Sequence, residues 1–254
     1  MLVDLGCGTG TVPRYLSKDF DRVLGTDPSA GMIKKAKDLS PKYEFPNVDY
    51  EVASAESLPF LEDESVDMVV AAQAAHWFDY PKLFPELKRV LRTGGTIAFW
   101  GYKDHVYCGY PKASKTMLDY SYGSDPDRQL GKYWEPGRSI TRQKLRPIQP
   151  PEADFADIER IEYEPDASGK GKGAGTLFVE KQMTVAQSIE YVRTFSSFHE
   201  WAVQHPNHEA RAIGGNGDLA DWMHDDMKEA EGWTDEDMIM DVEWGSGLLL
   251  CRKR

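Results

Sequence analysis

The feature that most restricts the fold is the segment VDLGCGTG, which places Gly6, Gly8 and Gly10 at alternate positions directly after a short apolar run. The run, residues 1–5, predicts a buried strand, and residues 11–20 predict a helix entered straight from the glycines. Glycine adopts positive φ and has no Cβ, so a ligand can approach its backbone closely. This strand, turn and helix therefore predict a ligand site at the carboxyl end of the strand.

The first hundred residues alternate between strand and helix patterns. Predicted strands cover residues 1–5, 23–26, 48–53, 66–71 and 95–100, and predicted helices cover residues 11–20, 29–39 and 80–91. This alternation predicts an α/β domain with a mostly parallel sheet that helices cover on both faces.

The second part of the chain has a different character. Residues 101–175 are rich in Tyr, Pro, Gly and Asp, which predicts an insert after the fifth strand. Residues 184–204 predict one long helix, and residues 241–254 predict strand material around a Gly-Ser-Gly turn. We expect a single domain over residues 1–254, with residues 1–100 as the cofactor-binding half and residues 101–254 as the insert and substrate-side half.

Charge and cysteine content exclude several classes of protein. A net charge of −12 argues against a nucleic-acid-binding face or an anionic membrane surface, since both require clustered Lys and Arg. Cys7, Cys108 and Cys251 are odd in number and far apart, which predicts neither a disulfide framework nor a metal site. With no apolar run of membrane-spanning length and no signal-peptide pattern, we expect a cytoplasmic protein without a bound metal.

The glycine spacing separates two kinds of nucleotide loop. A dinucleotide fingerprint would place its third glycine at position 11, which is Thr11, whereas this chain has Gly10. Asp27 ends the second predicted strand, 17 residues after Gly10. Its carboxylate could accept two hydrogen bonds from the vicinal hydroxyls of a ribose. The alternative is that Asp27 caps the helix that follows it.

Several segments, read in order, carry a family resemblance. VDLGCGTG, TDPS, SAESLPF, VDMVVAAQAAHWF and LKRVLRTGG together resemble a class I S-adenosylmethionine-dependent methyltransferase. Further along, AAHWFD, KYWEPGR, EYVRTFSSFHEW and the closing VEW and LLLCRKR resemble the fungal branch of the trans-aconitate methyltransferase group.

The resemblance implies a fold and a cofactor. The fold would be a doubly wound Rossmann-like sheet of seven strands with the last antiparallel, and an insert after strand five. Family members carry a covering helix before the first strand, and we expect that helix to be missing here. The cofactor would be S-adenosylmethionine. The residues assigned to it are Asp4, Gly6, Cys7, Gly8, Gly10, Asp27, Pro28, Ala55, Glu56 and Gln73. Glu56 could instead be a solvent-facing residue.

The binding site for the methyl acceptor, the substrate of the reaction, is assigned to residues in three places. His76 and Trp77 follow the fourth strand with Gln73, and His76 is the candidate catalytic base, although a lone His is often structural. The insert supplies aromatic and cationic groups that could also simply pack a loop, and the predicted long helix supplies two more. The residues assigned to the substrate are Trp77, Tyr133, Trp134, Arg138, Arg193 and Ser197.

The leading functional prediction is methyl transfer to a small molecule, and the resemblance to the trans-aconitate group implies that the methyl group goes to the oxygen of a carboxylic acid. A carboxylate is already ionised and requires neither a base nor a metal, whereas a hydroxyl or amine would require His76 as base. The alternatives are a non-catalytic protein that binds the cofactor or a ligand, and an NAD oxidoreductase, which Thr11 opposes.

Overall fold

The structure is a computed structural model that describes all residues from 1 to 254. The chain divides into two compact units. Unit 1 comprises Met1–Tyr102, Ser139–Glu162 and Gly247–Arg254, and unit 2 comprises Lys103–Arg138 and Tyr163–Ser246. The prediction of a single domain stays a prediction. The division is not the one at residue 100, because two later segments belong to unit 1.

Unit 1 contains the alternating elements that the sequence predicts. They are β1 (Leu2–Leu5), α1 (Thr11–Leu16), β2 (Val23–Asp27), α2 (Ala30–Leu39), β3 (Val48–Val52), β4 (Val66–Ala72), a 3₁₀ turn (Ala75–Trp77), α3 (Tyr80–Val90) and the start of β5 (Leu91–Tyr107). Strand β1 pairs in parallel with β2 and β4, β2 pairs in parallel with β3, and β4 pairs in parallel with β5. The carboxyl ends of these strands therefore lie at one edge of the sheet.

Burial explains why these segments fold as they do. All four residues of β1 are buried, which is typical of a parallel strand with helices on both faces. Helix α3 buries Leu83, Phe84, Leu87 and Val90, a stripe at helical spacing, against the core that also contains Val69.

The remaining elements complete the chain. They are α4 (Pro111–Tyr122), a 3₁₀ turn (Gly131–Tyr133), α5 (Arg138–Arg142), β6 (Phe155–Glu164), β7 (Ala174–Gly175), β8 (Glu180–Thr184), α6 (Val185–Arg193), α7 (Ser196–Gln204), a 3₁₀ turn (Arg211–Ile213), α8 (Leu219–Glu231) and β9 (Ile239–Lys253). Helices α6 and α8 each begin with a capping box, Thr184 with Gln187 and Asp218 with Asp221.

The sheet has nine strands in the order β3-β2-β1-β4-β5-β9-β6-β7, and β8 pairs with β9. The resemblance implies seven strands, and that count stays a prediction. Both short strands pair antiparallel, β7 with β6 and β8 with β9.

The predicted long helix over residues 184–204 is wrong, because the structure has two helices there. Phe195 is extended, with φ −67° and ψ 138°, and α7 starts after it. The Thr194 hydroxyl donates to the carbonyl of Tyr191 at 2.6 Å, the local bond by which Thr competes with helix continuation.

The predicted turn at Gly245-Ser246-Gly247 is also wrong, since β9 runs through it without a break. A Cβ on Gly247 would overlap the backbone of Lys144, and a Cβ on Gly245 would overlap the side chain of Lys103. These glycines therefore permit close approach by neighbouring chain rather than a change of direction.

Candidate functional site

The glycine loop has the backbone that its sequence predicts. Gly6, Gly8 and Gly10 have φ values of 66°, 55° and 80°. A Cβ on Gly6 would lie 2.5 Å from the Cβ of Ala74, whereas a Cβ on Gly8 would have no atom within 4 Å. Gly6 is thus required by packing, and Gly8 leaves open space above the loop.

Asp27 connects this loop to the start of α2. Its carboxylate accepts hydrogen bonds from the backbone N–H of Gly8 at 3.0 Å and of Ser29 at 2.9 Å. The cap of α2 is Ser29, whose hydroxyl accepts from the N–H of Met32 at 3.3 Å, so the alternative role of Asp27 as helix cap is wrong. The carboxylate is held at the carboxyl end of β2 by two backbone donors.

A cavity of about 420 Å³ opens beside Asp27 at the carboxyl ends of the parallel strands. This volume is in the range of small-molecule sites. Its lining includes several residues that were assigned to the cofactor and one, Trp77, that was assigned to the substrate. The residues that line it are Gly6, Asp27, Pro28, Ser54, Ala55, Glu56, Gln73, Ala74, Trp77 and Phe78.

Gln73 is held in an unusual backbone conformation at this cavity. It follows β4 with φ 52°, a left-handed backbone that is uncommon outside glycine and that concentrates at functional sites. Its N–H donates to the carbonyl of Trp100 at 2.9 Å, and its amide Nε2 donates to the carbonyl of Tyr102 at 2.9 Å. The amide oxygen Oε1 is buried and has no hydrogen-bond partner. A Cβ on Gly101 would lie 2.8 Å from Oε1, so this glycine makes room for the Gln73 amide.

Glu56 lines the cavity and also supports the fold. Its Oε1 accepts from the backbone N–H of Asp79, the residue before α3, at 2.8 Å. The Ser54 hydroxyl donates to the other carboxylate oxygen. Glu56 is therefore fixed in place, and its predicted contact with the cofactor stays a prediction.

Four predicted cofactor residues lie outside the cavity lining: Asp4, Cys7, Gly8 and Gly10. Asp4 is buried below the loop, and burial, together with the nearby charge of Asp27, raises the pKa of its carboxyl well above the usual range. Burial likewise raises the pKa of the Cys7 thiol, so neither group readily ionises. Gly10 precedes α1, and a Cβ on it would overlap the ring of Tyr50.

His76 and Trp77 lie in the 3₁₀ turn that follows Gln73. Trp77 lines the cavity and is 61% exposed, which is unusual for a tryptophan that only packs a core. The rings of His76 and Trp77 lie 5.0 Å apart, and His76 itself is not among the lining residues. Its role as a base stays a prediction.

The other predicted acceptor residues belong to unit 2, where Trp134 and Arg138 are in contact. The Arg138 guanidinium lies 4.4 Å from the centre of the Trp134 ring. It donates to Asp104 at 2.8 Å through Nη2 and to the hydroxyl of Tyr122 at 2.9 Å through Nε. Tyr133 is buried, and its hydroxyl donates to the carbonyl of Pro126 at 2.9 Å.

Arg193 and Ser197 have different surroundings. The Arg193 guanidinium donates to Asp218 at 2.8 Å and lies 2.9 Å from Asp221, the two residues of the capping box of α8. Glu190 is a third carboxylate partner. Ser197 is completely buried, and its hydroxyl has no hydrogen-bond partner. Arg193 thus has a structural role, and contact of either residue with substrate stays a prediction.

Sequence reasoning missed three lining residues, Ser54, Ala74 and Phe78. Ala74 could have been found from Gly6, because the residue that faces a tightly packed glycine must be small. Ser54 and Phe78 each lie one residue from a predicted site residue, but neither residue type signals a ligand by itself.

Two further features bear on the chemistry. The structure has no group of three or more His, Cys, Asp or Glu side chains that could hold a metal ion. None of its helices combines the length and the apolar character that crossing a membrane requires.

Known proteins resemble this chain over part or all of its length. A family model described as a methyltransferase domain matches residues 3–99. The yeast Saccharomyces cerevisiae has a relative named Probable S-adenosylmethionine-dependent methyltransferase CRG1, which is 30% identical over 262 residues, covering 100% of this chain and 86% of the relative. Malonyl-[acyl-carrier protein] O-methyltransferase of Hamiltonella defensa is 37% identical over 99 residues, covering 39% of this chain and 36% of the relative.

Solved structures show the same fold. A proposed type II methyltransferase from Anaeromyxobacter dehalogenans matches with a TM-score of 0.69 and 24% identity, over 99% of this chain and 88% of that one. The YcgJ protein from Bacillus subtilis matches with a TM-score of 0.52 and 17% identity, over 100% of this chain and 91% of that one. These likenesses confirm the predicted α/β Rossmann-like fold.

Proposed function

Because the chain belongs to the S-adenosylmethionine-dependent methyltransferase family, we propose that it methylates a small carboxylic acid on oxygen. The enzyme class and the cofactor S-adenosylmethionine agree with the predictions from the sequence. The acceptor class and the narrower resemblance to the trans-aconitate group are part of the proposal.

The cavity in unit 1 has groups that suit this cofactor. The Gln73 side chain lines the cavity, and the Asp27 carboxylate is an acceptor suited to ribose hydroxyls. Trp77 and Phe78 offer aromatic surface, and Gly6 and Gly8 allow close approach to the backbone. The bound cofactor supplies a methyl group on a positively charged sulfur.

The observation that carries the acceptor class is the setting of Arg138 in unit 2. Asp104 and Tyr122 orient its guanidinium, which lies against the Trp134 ring. Asp104 offsets its charge, so Arg138 acts as an oriented donor, the property by which guanidinium recognises carboxylates. Arg193 is the weaker candidate because three carboxylates surround it.

A carboxylate acceptor also fits the residues available for chemistry. An ionised carboxylate attacks without losing a proton, so the protein has only to align the reactants and exclude water. The O-methyltransferase name of the Hamiltonella defensa relative supports transfer to oxygen, although that match covers only 39% of this chain.

A panel of di- and tricarboxylic acids, phenols and amines, incubated with methyl-labelled donor, tests the proposal. We expect label in base-labile methyl esters of acids. Arg138→Gln is expected to raise the KM for the acid about tenfold or more with donor binding unchanged, because a charge-assisted contact is lost. Arg142→Gln, an exposed arginine of the same helix, is the matched control.

The second candidate is a hydroxyl or amine acceptor with His76 as base, which the proximity of His76 to the lining residue Trp77 favours. Label found only in phenols or amines, together with its loss in His76→Ala, would overturn the carboxylate proposal and establish this alternative.

A further inference from the structure

Unit 2 contains a second cavity, of about 570 Å³, lined by Asp127, Arg128, His205, His208 and Trp222. None of these residues belongs to the sites predicted from the sequence. We propose that this cavity binds a small organic anion with a planar ring, such as an aromatic carboxylate. The proposal does not depend on the acceptor class proposed above.

The aromatic side of the cavity is rigid because Trp201 supports it. Trp201 is fully buried, and its indole N–H donates to the carbonyl of Asp127 at 3.0 Å. The His205 ring stacks on it, with centres 4.5 Å apart and planes 12° apart, and the Trp222 ring meets it edge-on at 5.8 Å. A flat ligand ring would therefore meet aromatic surface that is already ordered.

The cavity has one fixed positive charge, the Arg128 guanidinium. The Arg128 guanidinium lies 5.6 Å from the centre of the Trp222 ring, so that its charge and the ring face the same space. His205 contacts the carbonyl of Trp201 through Nδ1 at 2.8 Å, and a carbonyl only accepts, so this nitrogen carries a proton. The Nδ1 atom of His208 is buried and has no hydrogen-bond partner. A carboxylate oxygen would satisfy this nitrogen in the tautomer that carries the proton at Nδ1.

The choice between anion, cation and metal follows from these contacts. Asp127 is the one carboxylate of the lining, and its Oδ1 lies 3.3 Å from the Nε2 atom of His205. A cation drawn to Asp127 would also meet the positive charge of Arg128. A metal is disfavoured, because no cluster of His and carboxylate side chains has metal-binding geometry. An anion would be drawn to Arg128, and its ring would fit against Trp222.

The loop that carries Arg128 is held in shape before any ligand binds. Asp125 accepts hydrogen bonds from the backbone N–H of Asp127 at 2.9 Å and of Arg128 at 3.3 Å. The guanidinium Nη2 lies 3.4 Å from the hydroxyl of Tyr120, which donates to Asp226. Binding at such a site requires little ordering of the backbone.

Calorimetric titration of the full chain with 1-naphthoate tests the proposal. S-adenosylhomocysteine is present at saturation, so that the donor cavity is filled and no methyl group can be transferred. We expect one naphthoate per chain. Cyclohexanecarboxylate, which lacks the aromatic ring, and 1-naphthylmethylamine, which has the opposite charge, are expected to bind about tenfold more weakly or not at all.

Variants assign the binding to this cavity. Arg128→Gln should weaken naphthoate binding about tenfold or more, and Trp222→Leu should weaken it while Trp222→Phe retains it. Arg92→Gln, an equal change of charge at an exposed residue of unit 1, should have less than a twofold effect. Equal binding of naphthoate to wild type and Arg128→Gln, or equal binding of cyclohexanecarboxylate, would overturn the proposal. Failure of acid methylation would leave these binding results unchanged, so the two proposals fail separately.

Discussion

At the scale of single residues, the structure fixes the positions of two polar side chains at the cavity of unit 1. Gln73 has a left-handed backbone and a buried acceptor, and Asp27 is fixed by two backbone donors. The sequence identified both because each follows a predicted strand at the same edge of the sheet. It could not identify their hydrogen-bond partners, because those depend on Gly8 and on Tyr102, which are distant in the chain.

His105 is a buried group that no predicted site includes. It is 1% exposed, and its ring contacts those of Tyr107, Tyr191 and Trp244. Burial lowers the pKa of His105 to about 4. The negative charge of Asp104 opposes this shift, and the positive charge of Arg138 adds a smaller contribution to it. The folded chain therefore keeps this imidazole neutral at pH values where the unfolded chain protonates it.

His105→Phe is expected to change the pH dependence of stability. In the unfolded chain, His105 is protonated as the pH falls below the usual histidine pKa of about 6.5. In the folded chain, His105 is protonated only when the pH falls through about 4. Protonation of His105 in the unfolded chain therefore lowers the free energy of unfolding as the pH falls. Between pH 7 and pH 5 the variant should lose about 2 kcal/mol less of its free energy of unfolding than wild type, as measured by urea unfolding.

The control for this prediction is Val203→Phe, which introduces the same side chain at an exposed residue of α7 that does not titrate, and which should follow the wild-type pH dependence. If His105→Phe and wild type lose equal stability between pH 7 and pH 5, His105 is not kept neutral by the fold.

At the scale of secondary-structure elements, predictions succeeded where the signal was local. The strands and helices of residues 1–91 agree with their hydrophobic periodicity within a few residues. The break at Thr194 and Phe195 was missed because the aromatic spacing continues across it. The pairing of β9 through Gly245 and Gly247 was missed because a glycine pair usually signals a turn, and the neighbouring chain that requires these glycines is far away in sequence.

Gly247→Ala is expected to destabilise β9. The added Cβ would overlap the backbone carbonyl of Lys144, which cannot move aside as a side chain can, so we expect a loss of about 2 kcal/mol in the free energy of unfolding. Gly245→Ala on the same strand is the matched comparison. Its Cβ would meet only the flexible side chain of Lys103, and we expect a loss below about 1 kcal/mol.

Urea unfolding of the two variants measures this difference. If Gly247→Ala and Gly245→Ala lose the same free energy of unfolding, the clash with the Lys144 backbone is no more costly than the clash with the Lys103 side chain, and the prediction is wrong.

At the scale of the whole molecule, the two units differ in how far the sequence predicted them. In unit 1, the positions of the glycine loop and Asp27 were predictable from the sequence. The carboxyl ends of parallel strands lie at one edge of the sheet, so the topology alone brings these distant residues together. Unit 2 is assembled from the separate segments 103–138 and 163–246 without a sustained period. The partners of Arg138 and Arg193 were therefore not predictable, and neither was the cavity at Trp222.

The central claim is that the cavity beside Asp27 holds the methyl donor, and calorimetric titration with S-adenosylmethionine, S-adenosylhomocysteine and NAD tests it most directly. Wild type should bind the first two with one site per chain and should not bind NAD. Asp27→Asn should weaken donor binding by about 2 kcal/mol or more, because it removes a charged acceptor, while Asp49→Asn on β3 should bind like wild type. Binding of NAD in place of the donor, or undiminished donor binding by a folded Asp27→Asn variant, would contradict the account.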